Sequence, residues 1–491
     1  MNSLVFLTAF SVYILFLIWL GWFVSRKQES GEDFLLAGRG LPIFLILGTT
    51  VATMVGTGSS IGAVGFGYDT GWGGALYGLG GAIGILLAGW WFAPIRKLRF
   101  MTMSEELSYY VGANRLVKNV VGFLIFLACI GWLGAHILGG GMYLAWVVDI
   151  DLDLAKVIVA LGFSIYIVIG GYRAVVWTDT IQVIILFFGF ILMAWLAVQQ
   201  AGGWETLLSL QSDGSTSFLG IQQVGGIHAL SLVVVIAVGV LATPSFRQRI
   251  YSSESVSAAR KSFAWSGGIY LLFSFIPALI GMAAFALNPE LDNRNFAFPF
   301  LAIEVLPLYV GVIVLIAGLS ATMSSASSDA IAGVTILIRD LYVMFKGEMP
   351  AREKVVFYSR ISIVAVVGLA LLMALTSDDI ITYITNMIAT IMSGMFTCGV
   401  LGRFWPRFNW QGAVASLIGG SIASAAVLLT NGGTEYWGNP ILPALALAMI
   451  TGIVTTLVTP KSNITPDQAR EILDKEREQM EGVAEVIDPI I

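Results

Sequence analysis

The sequence predicts an all-α polytopic membrane protein with about thirteen transmembrane helices. Three observations predict it. Hydrophobic residues make up 57% of the 491 residues and charged residues only 12%, with 55 glycines. Apolar runs of roughly 20 residues recur along the whole chain, the length that crosses a bilayer as a helix. When those runs are threaded in alternation, nearly every basic residue falls on one side. A multidomain soluble protein is excluded by the same numbers.

The first apolar run, residues 3–24, carries no basic residue before it and reaches past Leu20 to Arg26-Lys27. It therefore reads as a retained span rather than a signal peptide. The spans that follow are roughly 41–67, 73–95, 117–148, 154–171, 176–199, 228–247, 262–288, 308–345, 355–376, 379–402, 410–430 and 440–459. With the N-terminus outside, all of the 26 Lys and Arg except Lys156 and Arg294 lie on the cytoplasmic side. One span more or fewer would scramble that segregation, so an odd count with a cytoplasmic tail is expected. The stretch 98–116 is mixed in charge and predicts a short interfacial helix. Thr465-Pro466-Asp467 opens a charged helix to about Met480, and no kinase, nucleotide-binding or receptor domain follows. Cys129 and Cys398 lie far apart in apolar runs, without metal spacing or a disulfide framework. No nucleophile–base constellation appears, so an enzyme is not expected.

Two spans are interrupted. The second contains Gly48-Thr49-Thr50-Val51-Ala52-Thr53-Met54-Val55-Gly56-Thr57-Gly58-Ser59-Ser60, and the seventh contains Gly239 to Ser245 with Pro244. Proline removes a backbone donor, and backbone that leaves the helix inside a membrane survives only where it lines a cavity or is buried in protein. The two spans stand an odd number of crossings apart and so run in opposite directions. Such a pair points to a secondary transporter built on an inverted repeat. A glycine-rich helix is also what close packing produces, so either break alone would say less.

The ninth span carries Ala321-Thr322-Met323-Ser324-Ser325-Ala326-Ser327-Ser328-Asp329. At 100° per residue Ala321, Ser324, Ser325 and Ser328 share one face, with Ser327 at its margin. Uncharged oxygens suit a small hard cation that must be released again. The same small residues also suit helix packing. Asp179 lies near the cytoplasmic end of its span, where an unpaired carboxylate is costly and usually functional, or else pairs with a neighbour such as Arg173. Asp329 either shares an inward vestibule with the hydroxyls or is solvated.

Several motifs resemble those of the sodium:solute symporter family. They are Gly170-Gly171-Tyr172-Arg173-Ala174-Val175-Val176-Trp177-Thr178-Asp179, Ala321 to Ser325 followed by Arg339-Asp340-Leu341-Tyr342, and Phe34 to Pro42. The likeness runs over about residues 5–460 and is nearest in flavour to the choline, pantothenate and proline transporter branches. It implies a LeuT-like core of five plus five helices. The division is 1–40 (extra helix and loop), 41–199 (first repeat), 200–227 (external loop), 228–402 (inverted repeat), 403–460 (two added helices) and 461–491 (tail). It further implies a main sodium site at Ala52, Val55, Ala321, Ser324 and Ser325, and a second sodium at Asp179, Ser324, Ser327 and Ser328. The solute is then expected near Thr53, Met54, Thr57, Tyr77, Trp132, His136, Thr243, Ser245 and Asn386.

Trp132 and His136 share a helical face. No basic residue is expected at mid-depth in the first, third or sixth core helices, so a strongly anionic solute would have to rely on a helix N-terminus. The expected function is a sodium-coupled symporter importing a zwitterion, organic cation or small carboxylate. Na+ is the coupling ion, the solute and the lipid bilayer are the partners, and no nucleic acid is. The alternatives are a proton-coupled symporter using Asp179 or His136, and a transport-inactive sensor or scaffold on the same fold.

Overall fold

A computed structural model describes residues 3–25, 36–168, 171–348, 350 and 352–481. Arg26, Lys27, Phe34, Leu35 and Gly170, on which sequence readings fell, lie outside the described residues, as does the tail beyond 481. Among the described residues the chain is all helical, with one isolated parallel bridge between Leu41 and Ser253.

The helices used below are α1 (Ser3–Ser25), α2 (Ile43–Met54), α3 (Ala63–Thr70), α4 (Ala75–Phe92), α5 (Met103–Tyr109), α6 (Arg115–Val148), α7 (Leu152–Val168) and α8 (Gly171–Gln200). They continue as α9 (Gly226–Ala242), α10 (Pro244–Ser252), α11 (Val256–Phe273), α12 (Phe275–Leu287), α13 (Leu308–Ile336), α14 (Arg352–Ala374) and α15 (Ile380–Met387). The last four are α16 (Ser393–Phe404), α17 (Trp410–Leu429), α18 (Ile441–Val458) and α19 (Pro466–Glu481). Among the described residues ten helices are long and apolar enough to cross a membrane, or eleven if the bent pair α9–α10 is one span. A count of thirteen requires α2 with α3, and the 17 described residues of α7, to cross as well.

Polar side chains fix where several helices begin. Asn114, Ser255, Asp379 and Asn409 each accept a hydrogen bond from a backbone N–H in the first turn of the helix that follows. Gly171 starts α8 at φ +60°, a conformation glycine adopts without strain, so residues expected as a loop before 176 are already helical. Ile184, Phe188, Ile191 and Trp195 stand exposed along one face of α8, an apolar stripe that only a bilayer or a partner would cover.

The packing is reciprocal about the two interrupted spans. α2 lies against α11 and α3 against α12, while α9 lies against α4. α2 also packs on α8, as α9 packs on α16. α13 runs between α6 and α8, with every residue from Ala317 to Ile336 buried.

The expected interfacial helix exists as α5 but is tucked in rather than laid on a surface. Its residues from Met103 to Ser108 are buried, because Glu105 meets Arg477 of α19 at 3.0 Å and Glu106 meets Arg247 of α10 at 3.2 Å. α19 docks through its buried Ala469 and Leu473, and its Glu476 pairs with Lys118 at 2.8 Å. Cys129 and Cys398 are buried free thiols.

Candidate functional site

The first interruption is built by residues that cannot or need not keep the helix. α2 ends at Met54; Val55 leaves helical geometry at φ −81°, ψ 63°, and the chain resumes through a π-helical turn at Gly58–Gly62. Two serines satisfy carbonyls freed there: Ser59 donates to Met54 O at 2.7 Å and Ser60 to Gly56 O at 2.7 Å. The carbonyls of Ala52 and Thr53 turn instead toward α13. Ser324 Oγ donates to Ala52 O at 3.0 Å and to Ala321 O at 3.1 Å, and Ser325 Oγ donates to Thr53 O at 2.9 Å. Ser325 Oγ also donates to Ala52 O at 3.4 Å, so four of the five oxygens expected for a sodium are joined in one chain of hydrogen bonds through Ala52 O and Ser324 Oγ. Val55 is fully buried at the turn, and its carbonyl accepts no hydrogen bond from either serine. The approach needs Gly56: a Cβ there would lie 2.6 Å from Ser325 Oγ and 3.0 Å from His136 Cε1.

The second expected cation set is arranged differently. Asp179 Oδ2 accepts from Thr49 Oγ1 at 2.6 Å and from Ser328 Oγ at 3.1 Å. Ser327 donates to Ser324 O of its own helix at 3.0 Å, and Ser324 belongs to the first cluster. A residue that sequence reasoning placed at the membrane surface reaches this point. Arg249 of α10 is fully buried, and its Nη2 donates to Thr49 Oγ1 and Ser328 Oγ at 2.8 Å each, and to Thr53 Oγ1. The same nitrogen lies 3.6 Å from Asp179 Oδ2, and Nη1 donates to Ser245 O at 2.6 Å. The sequence reading counted Arg249 only among the cytoplasmic-side charges; the structure buries its guanidinium in this cluster. The half-helix after Pro244 turns its guanidinium inward, because hydroxyls and a carboxylate there satisfy it. Arg173, the partner considered for Asp179, is exposed.

Four of the expected solute residues meet at α6: Trp132 and His136 lie on it, and Thr57 and Thr243 bond to them. His136 Nδ1 lies 3.0 Å from Thr57 Oγ1, which donates to Thr322 Oγ1 at 3.3 Å. His136 Nε2 lies 3.2 Å from Asp329 Oδ2, and both residues are buried, so Asp329 is not solvated. Trp132, one turn away on the same face, donates from Nε1 to Thr243 Oγ1 at 3.0 Å, and Thr243 donates to Gly239 O at 2.6 Å. Thr243 is the residue at which α9 and α10 part, bent by 46°. Tyr77 OH stands against Gly58, and Met54 packs against Gly81. Thr53 belongs to the Arg249 cluster, Ser245 Oγ is buried without a hydrogen-bond partner, and Asn386 is half-buried on α15 without one. α6 therefore touches both interruptions, His136 at the first and Trp132 at the second. Arg249, Thr49 and Thr322 were missed; an arginine four residues after Ser245 in a proline-started half-helix was the available signal.

The sodium:solute symporter family model matches residues 34–420. The chain is 26% identical over 463 residues to a sodium/pantothenate symporter of Haemophilus influenzae, covering 90% of this chain and 94% of that protein. It is 26% identical over 456 residues to a sodium/glucose cotransporter of Vibrio parahaemolyticus, covering 85% and 83%. Among solved structures, a Na+-coupled sialic acid symporter in a substrate-bound outward-open state superposes with a TM-score of 0.77 at 19% identity. That match covers 94% of this chain and 99% of the other, and shows a shared LeuT-like fold.

Proposed function

The chain belongs to the sodium:solute symporter family, and from that membership we propose that it imports a small organic solute coupled to sodium by alternating access. The observation that carries the reading is the pair of freed carbonyls at Ala52 and Thr53 facing the hydroxyls of Ser324 and Ser325. In this reading Ala52, Val55, Ala321, Ser324 and Ser325 hold the sodium that bridges α2 to α13. With the ion bound, the serine hydroxyls turn their lone pairs to it instead of donating to the carbonyls. Sodium and solute then raise each other's affinity by favouring one arrangement of the half-helices.

The solute, a zwitterion, organic cation or small carboxylate, sits between the interruptions against Thr57, Tyr77, Trp132, His136, Thr243 and Ser245. Arg249 is already engaged, so a multiply charged anion finds no unpaired guanidinium there. The opposed halves are taken as 41–199 and 228–402, with the N-terminus outside and the tail cytoplasmic.

A thermal-shift screen of metabolites with and without sodium identifies the solute, since a ligand that binds only the folded state stabilises it. Uptake of that solute into proteoliposomes then tests the site. Each oxygen withdrawn from a buried cation costs about 1–3 kcal/mol, so Ser324→Ala with Ser325→Ala should lower sodium affinity by roughly two to four orders of magnitude. Sodium-dependent uptake that survives the double change overturns the assignment. The buried His136–Asp329 pair favours one second reading, proton coupling through that pair. Accumulation driven by a pH gradient without sodium would select it.

A further inference from the structure

The hydroxyls and carboxylate around Arg249 form a cage with one occupant. Asp179, Thr49, Ser328, Ser245 and Arg249 are all buried below 1% exposure, and Thr53 is 8% exposed. Four side-chain oxygens from three helices, α2, α8 and α13, converge on a single nitrogen, Arg249 Nη2. The same groups are bonded to one another around it. Thr49 and Ser328 each accept from the guanidinium and donate onward to Asp179 Oδ2, and Thr53 donates to Ser328 at 3.1 Å. Asp179 Oδ1 and Arg249 Nε remain without hydrogen-bond partners. A carboxylate buried in this way is stabilised by a positive charge beside it, since an unpaired one is expensive away from water.

That charge is covalently part of α10, the half-helix beyond the bend at Thr243. We propose that Arg249 is the resident cation of this cage, holding the place a second alkali cation would otherwise take. The wild-type chain then carries a single sodium, at the α2–α13 cluster, and removing the guanidinium opens an Asp179-centred site for a monovalent cation. The absolute counts rest on the sodium site proposed above; the gain of one cation on removing the guanidinium does not. Because the cation is tethered, occupancy of the cage also ties α10 to α8 and α13. A diffusible ion would leave that half-helix free to swing.

The test is equilibrium binding of radioactive sodium to the full-length purified protein, counted per chain, with size-exclusion chromatography to verify folding. Wild type should bind one sodium at saturation and Arg249→Gln two, a twofold rise. Arg249→Lys, which keeps a tethered charge, should stay at one, as should Arg249→Gln combined with Asp179→Asn. Adding Ser324→Ala and Ser325→Ala should remove one sodium from each background, leaving none in the wild type and one in Arg249→Gln. A wild type that binds none beside an Arg249→Gln that binds one would sink the α2–α13 site while upholding the cage. A folded Arg249→Gln that binds no more sodium than the wild type, or a wild type that binds two, overturns the proposal. Asp179→Asn alone supplies a measurement that does not depend on replacing Arg249: it should retain the wild-type count, and loss of a sodium there also overturns the proposal.

Discussion

Replacing Arg477 by methionine removes the main counter-charge of a carboxylate sunk between α5 and α19. Glu105 is 4% exposed, and its Oε2 accepts from Met101 N at 2.8 Å and from Arg477 Nη2 at 3.0 Å. Burial by itself pushes this carboxyl up. The guanidinium of Arg477, then Lys118 and Arg339, overcome burial and hold it at about 2, from an ordinary 4.5. A difference of that size corresponds to about 3 kcal/mol of stability. Because the folded value is depressed, that stability is present above pH 4.5 and drains away as the pH falls toward 2. Arg477 is the largest of several charges and its side chain is 18% exposed, so its own share is about 1–2 kcal/mol. The assay is thermal unfolding by tryptophan fluorescence in detergent at several pH values between 6 and 3. Wild type, Arg477→Met, Glu105→Gln and the double variant form a cycle. The expected coupling is about 1–2 kcal/mol at pH 6, shrinking as the solution is acidified. Strictly additive effects, or an Arg477→Met protein as acid-sensitive as the wild type, would refute the argument.

Other consequences are read in the same unfolding assay. A Cβ at Gly281 of α12 would overlap the Val64 carbonyl and lie 2.5 Å from Tyr68 N, both backbone of α3. Gly281→Ala should therefore cost about 1–3 kcal/mol or more, whereas Gly268→Ala, with nothing within 4 Å, should gain up to about 1 kcal/mol. Trp132→Phe strips the donor from Thr243 at the second bend and should cost about 1–2 kcal/mol, most of it lost in a Thr243→Val background. Burial would raise Asp379, but Arg294 at 2.9 Å holds it below its usual 3.8. Its stability is thus present above pH 3.8 and lost below, and Arg294→Gln should flatten that acid limb.

Periodicity and punctuation made much of the architecture legible. Pro244 and the Thr, Gly and Ser cluster at 48–60 announced both interruptions, because each removes or replaces backbone hydrogen bonds. The hydroxyl face of α13 followed from helical spacing alone. Pairings across long chain separations were not legible. His136 and Asp329 stand 193 residues apart, and Arg249 and Thr49 stand 200 apart. Each residue drew attention singly, and nothing local joined them. Arg249 went unremarked as a site residue for a specific reason. Counting basic residues near span ends assigns a side of the membrane, but it does not tell a guanidinium in water from one folded back onto buried hydroxyls.

At the solute site proposed above, the two contacts of α6 bear on which solutes are admitted. Trp132 holds Thr243 at one interruption and His136 holds Thr57 at the other, four residues apart or about 6 Å along the helix. In the proposed reading, a solute that enters between the interruptions competes with these bonds. Leaving a buried donor or acceptor unmade costs about 1–3 kcal/mol. A solute carrying one polar group thus leaves one side of α6 unsatisfied, and an apolar analogue of the same size leaves both. Discrimination against such analogues should exceed what a methylene-sized difference in an apolar pocket achieves, because the penalty falls on the protein's own polar groups. Under that proposal the same geometry links recognition to motion. A solute that satisfies Thr57 and Thr243 together spans both bends and so registers the relative position of α2–α3 and α9–α10. One that satisfies a single threonine binds without reporting on the other half.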